Sequence, residues 1–138
     1  MASASYSDAV LENIRATRAR KKLDQAVVSE RMRKLGYTSW HRQTLGKVER
    51  GERRLAASEL LGLALALETN IPVLLSGPPD DGIELGDNGP IDGRDVTDLA
   101  RGRNNGAVRW DDSNDPVFGK GVNSWWGEPE DDPARDLV

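Results

Sequence analysis

Between Ser7 and Ser76 the apolar residues return every three or four positions, and short polar or glycine-bearing breaks separate the runs. That period is helical, and each run predicts one short helix. Val10, Leu11 and Ile14, with Arg18 on the same side, predict a first helix to about Lys21, capped by Ser7 with Asp8 in its first turn. Val28, Met32 and Leu35 predict a second over Gln25 to Leu35, with Asp24 as its cap and Gly36 just past its end, where positive φ is tolerated. Leu45 and Val48 point inward from a third helix at about 42–50, ended by Gly51. A fourth, about Ala57 to Glu68, carries Leu60, Leu61, Ala64, Leu65 and Leu67. It is apolar nearly all round, so it is expected to be the most buried. A fifth, PVLLS, starts on Pro72, whose missing N–H costs nothing in a first turn. The predicted fold is all-α, a compact five-helix domain at residues 6–77.

The pattern breaks at LLSGPPDDG. Residues 78–138 are rich in Gly, Pro, Asp and Asn and show no sustained period, so a mostly irregular acidic tail is expected. Within it, RDVTDLARG (Arg94 to Gly102) can form a turn or two of helix capped by Asp95. Charge divides at the same place. There are 13 Lys/Arg against 8 Asp/Glu through Gly77, and 6 against 15 from Pro78 on, which the overall net charge of -4 conceals. A basic binding module joined to an acidic tail is the reading.

Several chemistries have little to stand on. Cysteine is absent and there is a single histidine, so no disulfide, thiolate nucleophile or zinc site is expected. No cofactor loop or nucleophile–base spacing is present, which argues against an enzyme. MASASYSDAV lacks the basic flank and apolar centre of a secretory leader. The longest apolar run, LLGLALAL, is too short to cross a bilayer. The expectation is a cytoplasmic protein with no membrane contact.

The stretch TSWHRQTLGKVERGERR (Thr38 to Arg54) sets the third helix under a coat of cations. With His41 as N-cap, Trp40 and Leu45 stand where a hydrophobic staple forms; Ser39 and Thr38 are alternative caps. Arg42, Gln43, Gly46, Lys47 and Arg50 are left facing out, and Glu49 lies near the inward edge. Arg and Gln can each bond a guanine or adenine edge through two hydrogen bonds in a major groove, and Lys47 can reach a base or a phosphate. Arg50, Arg53 and Arg54 suit phosphates. A merely solvated cationic helix is the competing interpretation.

The order LDQAVVSERM, turn, RQTLGKVERGERR resembles the lambda-repressor/Cro-like (XRE) helix-turn-helix family over roughly Val10 to Leu75. Leu23-Asp24-Gln25, Val28, Ser29 and Met32, then Thr44-Leu45-Gly46-Lys47-Val48-Glu49-Arg50-Gly51, carry the likeness. It implies double-stranded DNA as partner and a homodimer reading paired half-sites. Arg42, Gln43 and Lys47 would contact bases. Gln25 would contact a phosphate, Thr44 a phosphate or thymine methyl, and Arg18 would pair with Glu49. Ser29 would let two helices cross closely. Two features depart from the family: the connection RKLGYTSW is long, and His41 stands where a Ser or Thr cap is usual, as a cap-region or phosphate-contacting residue. Arg31, Arg33, Lys34 or Tyr37 in that region either add backbone contacts or are simply solvated.

The tail holds three of the four tryptophans (Trp110, Trp125, Trp126) and the sole phenylalanine, Phe118. A solvating spacer rarely carries such residues. They bind a protein partner, pack back on the domain, or serve no defined contact. The leading functional expectation is a sequence-specific transcriptional regulator, a repressor, dimerising through Val73 and Leu74 of an exposed fifth helix or through the tail. The alternative is a protein-interaction adaptor or antitoxin-type regulator whose tail carries the activity.

Overall fold

The computed structural model describes residues 4–84 and 90–118. The chain opens with a two-residue strand, β1 (Ala4–Ser5), and continues through helices α1 (Tyr6–Arg20), α2 (Gln25–Lys34), α3 (Thr44–Glu49), α4 (Ala57–Ala66) and α5 (Ile71–Leu75). Then follow β2 (Gly82–Glu84), β3 (Pro90–Asp92), α6 (Gly93–Ala100), β4 (Val108–Trp110) and β5 (Pro116–Phe118). Helix dominates, as the periodicity requires, but the described chain is not all-α. β1 and β2 pair in parallel, β2 and β3 antiparallel, and β4–β5 form a separate antiparallel pair.

Local chemistry sets the helix ends. Ser5, not Ser7, caps α1: its Oγ accepts the Asp8 N–H at 3.1 Å, leaving Ser7 inside the first turn. Asp24 holds the N-cap position of α2 without a side-chain cap bond. Gly36 at φ +109° and Gly51 at φ +75° end their helices in the left-handed conformation that glycine accepts. Asn70 caps α5 by accepting the Val73 N–H.

Ile14, Val28, Met32, Trp40, Leu45, Val48, Leu63, Leu67 and Leu74 have no exposed surface and form the centre of the helical core. Three burial expectations are corrected. Leu35 is exposed, because it caps the end of α2 after the face has turned outward. Leu61 and Leu65 are also exposed, so α4 is not buried all round. A helix with leucines on every side gives no moment to orient it, and its core contact falls on Leu63 and Leu67. Gly62 is the other contact point: a Cβ there would overlap the Tyr37 ring and crowd the Met32 methyl, so α4 lies close against α2. Leu74, expected at an exposed dimer face, is fully buried, and Val73 is half-buried. Tyr6 and Asn13 of α1 explain this by donating to the Leu75, Leu74 and Ser76 carbonyls, which pins α5 to α1.

The expectation of a mostly irregular tail is corrected for residues 82–84 and 90–118. Helix α6 is capped by Asp92, which accepts the Arg94 N–H, rather than by Asp95. It docks on the end of α5, where Thr97 Oγ1 accepts the Gly77 N–H at 3.0 Å and Gly93 N–H donates to Asp81 O at 2.9 Å. Gly77 and Gly93 touch backbone to backbone: a Cβ on Gly93 would overlap the Pro78 carbonyl, and one on Gly77 the Gly93 carbonyl. Ile83 of β2 and Val96 of α6 are buried there, apart from the main cluster. Among the described residues no helix is long and apolar enough to cross a membrane.

Because the obstacle at Gly93 is backbone, Gly93→Ala is expected to cost the upper part of the roughly 1–3 kcal/mol typical of overpacking. Amide exchange should then quicken in α6 and the strands while α1–α4 keep their protection. Unchanged exchange in α6 would contradict the close approach.

Candidate functional site

The cationic stretch is presented differently from its sequence pattern. Thr44 Oγ1 accepts the His41 N–H at 2.7 Å, and the Thr44 N–H donates to the His41 carbonyl at 3.0 Å. This closed turn delays the helix, so α3 starts at Thr44 rather than at Arg42, with Gln43 as its N-cap residue and without a side-chain cap bond. His41 is therefore not the N-cap. Thr44 is buried and spent on this turn, while His41, Arg42 and Gln43 lie exposed ahead of the helix.

Behind the turn, α3 is held by one carboxylate. Glu49 is 4% exposed, and Arg18 of α1 grips it with two bonds, Nε to Oε2 at 2.8 Å and Nη2 to Oε1 at 3.0 Å. Gln25 of α2 donates Nε2 to Oε1 at 2.9 Å, and Arg15 of α1 donates Nη2 to the Glu49 carbonyl at 2.8 Å. A buried carboxylate costs several kcal/mol unless donors surround it. Here the donors come from two other helices, so satisfying the charge also fixes α1, α2 and α3 relative to one another. The bond to Glu49 also raises the Arg18 pKa, against the opposing effect of its partial burial. Ser29, buried at the α2–α3 crossing, accepts the Leu45 N–H at 3.2 Å, so its small size comes with a bond.

A second lock sits on the far side of α3. Trp40 is fully buried, and its indole N–H donates to Glu59 of α4 at 2.5 Å. Arg53 bonds both Glu59 oxygens at 3.2 and 2.9 Å, and its guanidinium stacks 5.2 Å from the Trp40 ring centre. Glu59 also accepts the Ala56 N–H at the start of α4. Burial opposes ionisation of Glu59. The Arg53 guanidinium, the Ala56 amide and the Trp40 indole outweigh it and hold the carboxyl below its ordinary value.

The candidate cations thus fall into two sets. Arg18 and Arg53 are structural, each committed to a buried glutamate. Arg42, Lys47 and Arg54 are exposed, and Arg50 is exposed while paired with Glu52 at 3.1 Å. Gln25, Ala26, Arg42, Gln43, Gly46 and Arg50 line a shallow concavity of about 430 Å³ where the first turn of α2 meets the front of α3. Lys47 lies outside that lining. Gly46, expected to face out, is buried: a Cβ there would stand 3.2 Å from both Arg50 Nη1 and Gln25 Oε1. Trp110 is 67% exposed on β4 opposite Pro116, and Phe118 is half-buried opposite Val108. Trp125 and Trp126 lie outside the described residues.

Arg15 and Glu59 were not among the sequence candidates. Arg15 precedes Arg18 by one helical turn, a usable signal. Glu59 stands three residues after Ala56, where a capping-box acid would be, but alanine hides the signature.

Because the folded-state pKa of Glu59 is depressed, its contribution is present above the ordinary carboxylate range and is lost as pH falls through the folded value. The stability gap between the native chain and Glu59→Gln should be widest near neutrality and close on acidification below about pH 4. A gap independent of pH, measured by urea unfolding, would contradict the lock.

Comparison with known proteins adds no relative to set beside this geometry: no protein-family model, no curated protein and no solved structure matches the chain.

Proposed function

We propose that this chain is a sequence-specific DNA-binding transcriptional regulator, a repressor that acts as a homodimer from the cytoplasm. The observation that carries the reading is the concavity in which the N-terminal turn of α2 and the approach to α3 converge, lined by Gln25, Arg42, Gln43 and Arg50. In helix-turn-helix docking, the start of the first helix meets the DNA backbone and the front of the second enters the major groove. The two ends that such docking needs are side by side here.

Roles divide by what each side chain is free to do. Arg42 and Gln43, exposed on the turn, read base edges from in front of α3, and Lys47 reaches from its outer face. Arg50, Arg54 and His41 flank the groove for phosphates. Gln25 keeps its amide on Glu49, so the phosphate donors at this end are the N–H groups of Gln25 and Ala26, which open α2 and have no partner within that helix. Thr44, Arg18 and Arg53 support from behind. Binding would neutralise phosphates and release counterions, making affinity fall steeply with salt. Repression follows if the occupied site overlaps one that a polymerase needs.

A second reading, a protein-interaction adaptor of antitoxin type, is favoured by the exposed Trp110 on a folded hairpin. The same assay separates the two, since an adaptor need show no sequence preference on DNA.

In gel-shift titrations against selected DNA, Arg42→Ala is expected to lose about 1–3 kcal/mol of discrimination at one base position. It should retain the salt-dependent binding that backbone contacts supply. Full affinity and full preference in that variant would remove Arg42 from the base-reading set.

A further inference from the structure

Four large apolar side chains stand exposed on one face of the helical domain: Val27 (41%) and Leu35 (47%) of the α2 region, and Leu61 (52%) and Leu65 (59%) of α4. The seam between the two helices shows that they are neighbours. Tyr37 donates to Ser58 O, the Met32 methyl and Tyr37 ring lie over Gly62, and Arg31 Nη1 donates to Ala66 O at 2.8 Å. The two segments therefore run antiparallel, and Leu61 comes level with Leu35 while Leu65 comes level with Arg31, with Val27 one turn beyond. Val27, Arg31 and Leu35 recur every four residues, on a flank of α2 turned from Gln25 and Ala26. The strip is about 12 Å long, from eight residues at the helical rise. Arg31, Lys34 and Lys21 border it, against Glu30 and Glu68.

Exposed apolar strips of this kind mark contact surfaces. The border argues about the occupant. A second copy of the same face would offer only Glu30 and Glu68 to meet Arg31, Lys34 and Lys21, a poor excess of opposite charge. An acidic, aromatic segment suits it better, and the chain carries one. Residues 119–138, outside the described residues, read GKGVNSWWGEPEDDPARDLV, with Trp125 and Trp126 followed by Glu128, Glu130, Asp131 and Asp132. Trp125 stands seven residues beyond Phe118, a span of up to roughly 25 Å when extended.

We infer that the segment around Trp125 and Trp126 docks within its own chain on the apolar face of Val27, Leu35, Leu61 and Leu65, its carboxylates meeting Arg31, Lys34 and Lys21. This does not rest on the DNA reading. The chain has no cysteine, so Ser124→Cys in the full chain takes a single nitroxide label. The amide signals of Val27, Leu35, Leu61 and Leu65 should then lose intensity at every protein concentration. Adding Leu61→Glu and Leu65→Glu should restore Val27 and Leu35; both sites are exposed, and unchanged Ile14 and Leu74 methyl signals check the fold. Intensity lost instead around Arg42 and Gly46, lost nowhere, or lost only as concentration rises would overturn the assignment, the last pointing to a second copy. Were the double variant to unfold, the singly labelled chain alone decides.

Discussion

A carboxylate removed from water must be met by donors on several sides, and at Glu49 those donors arrive from two other helices. The rest of the surface around α3 depends on that constraint being satisfied as it is. With α3 only six residues long, its own hydrogen bonds fix little. Its angle against α2 is set instead by Arg18, Arg15 and Gln25 converging on Glu49, and by the Leu45 N–H donated to Ser29. A side effect is chemical: the Gln25 amide is held inward, which hands the exposed end of α2 to backbone N–H groups.

The Trp40–Glu59–Arg53 lock does for the front of α3 what Glu49 does for its back. It anchors the connection before α3 to α4, and so makes a long loop compatible with a fixed turn at His41 to Thr44. Trp40 was expected to staple α3 locally. Its hydrogen bond and its cation partner lie across the chain on Glu59 and Arg53. Together the two glutamates separate the arginines into those that build the surface and those left free to contact a ligand, a distinction that charge counting along the chain does not make.

The helices were legible because their apolar period is regular and because Gly36 and Gly51 sit where left-handed backbone ends them. Arg18 and Glu49 were legible only through the family resemblance, since thirty residues of intervening chain carry no local signal of their contact. The exposed side of α4 was hidden by leucines at every angle. Arg53 and Glu59 are six apart and outside any helical repeat, so their pairing had no pattern to betray it. Beyond Gly77 the helix within Arg94 to Gly102 was legible but the strands were not: three-residue strands are too short to show alternation, and β1 pairs with a β2 that lies far along the chain, Ala4 against Ile83. Only backbone proximity of Gly77 and Gly93 reveals why two glycines in a Gly-rich stretch are structural.

The most direct measurement is selection of bound DNA from a random pool by the full chain. A surface in which paired copies present Arg42, Gln43 and Lys47 to successive major grooves predicts enrichment of a two-fold symmetric sequence, with half-sites about one helical turn apart. A pool that stays random through repeated rounds, while the chain remains folded, would contradict it.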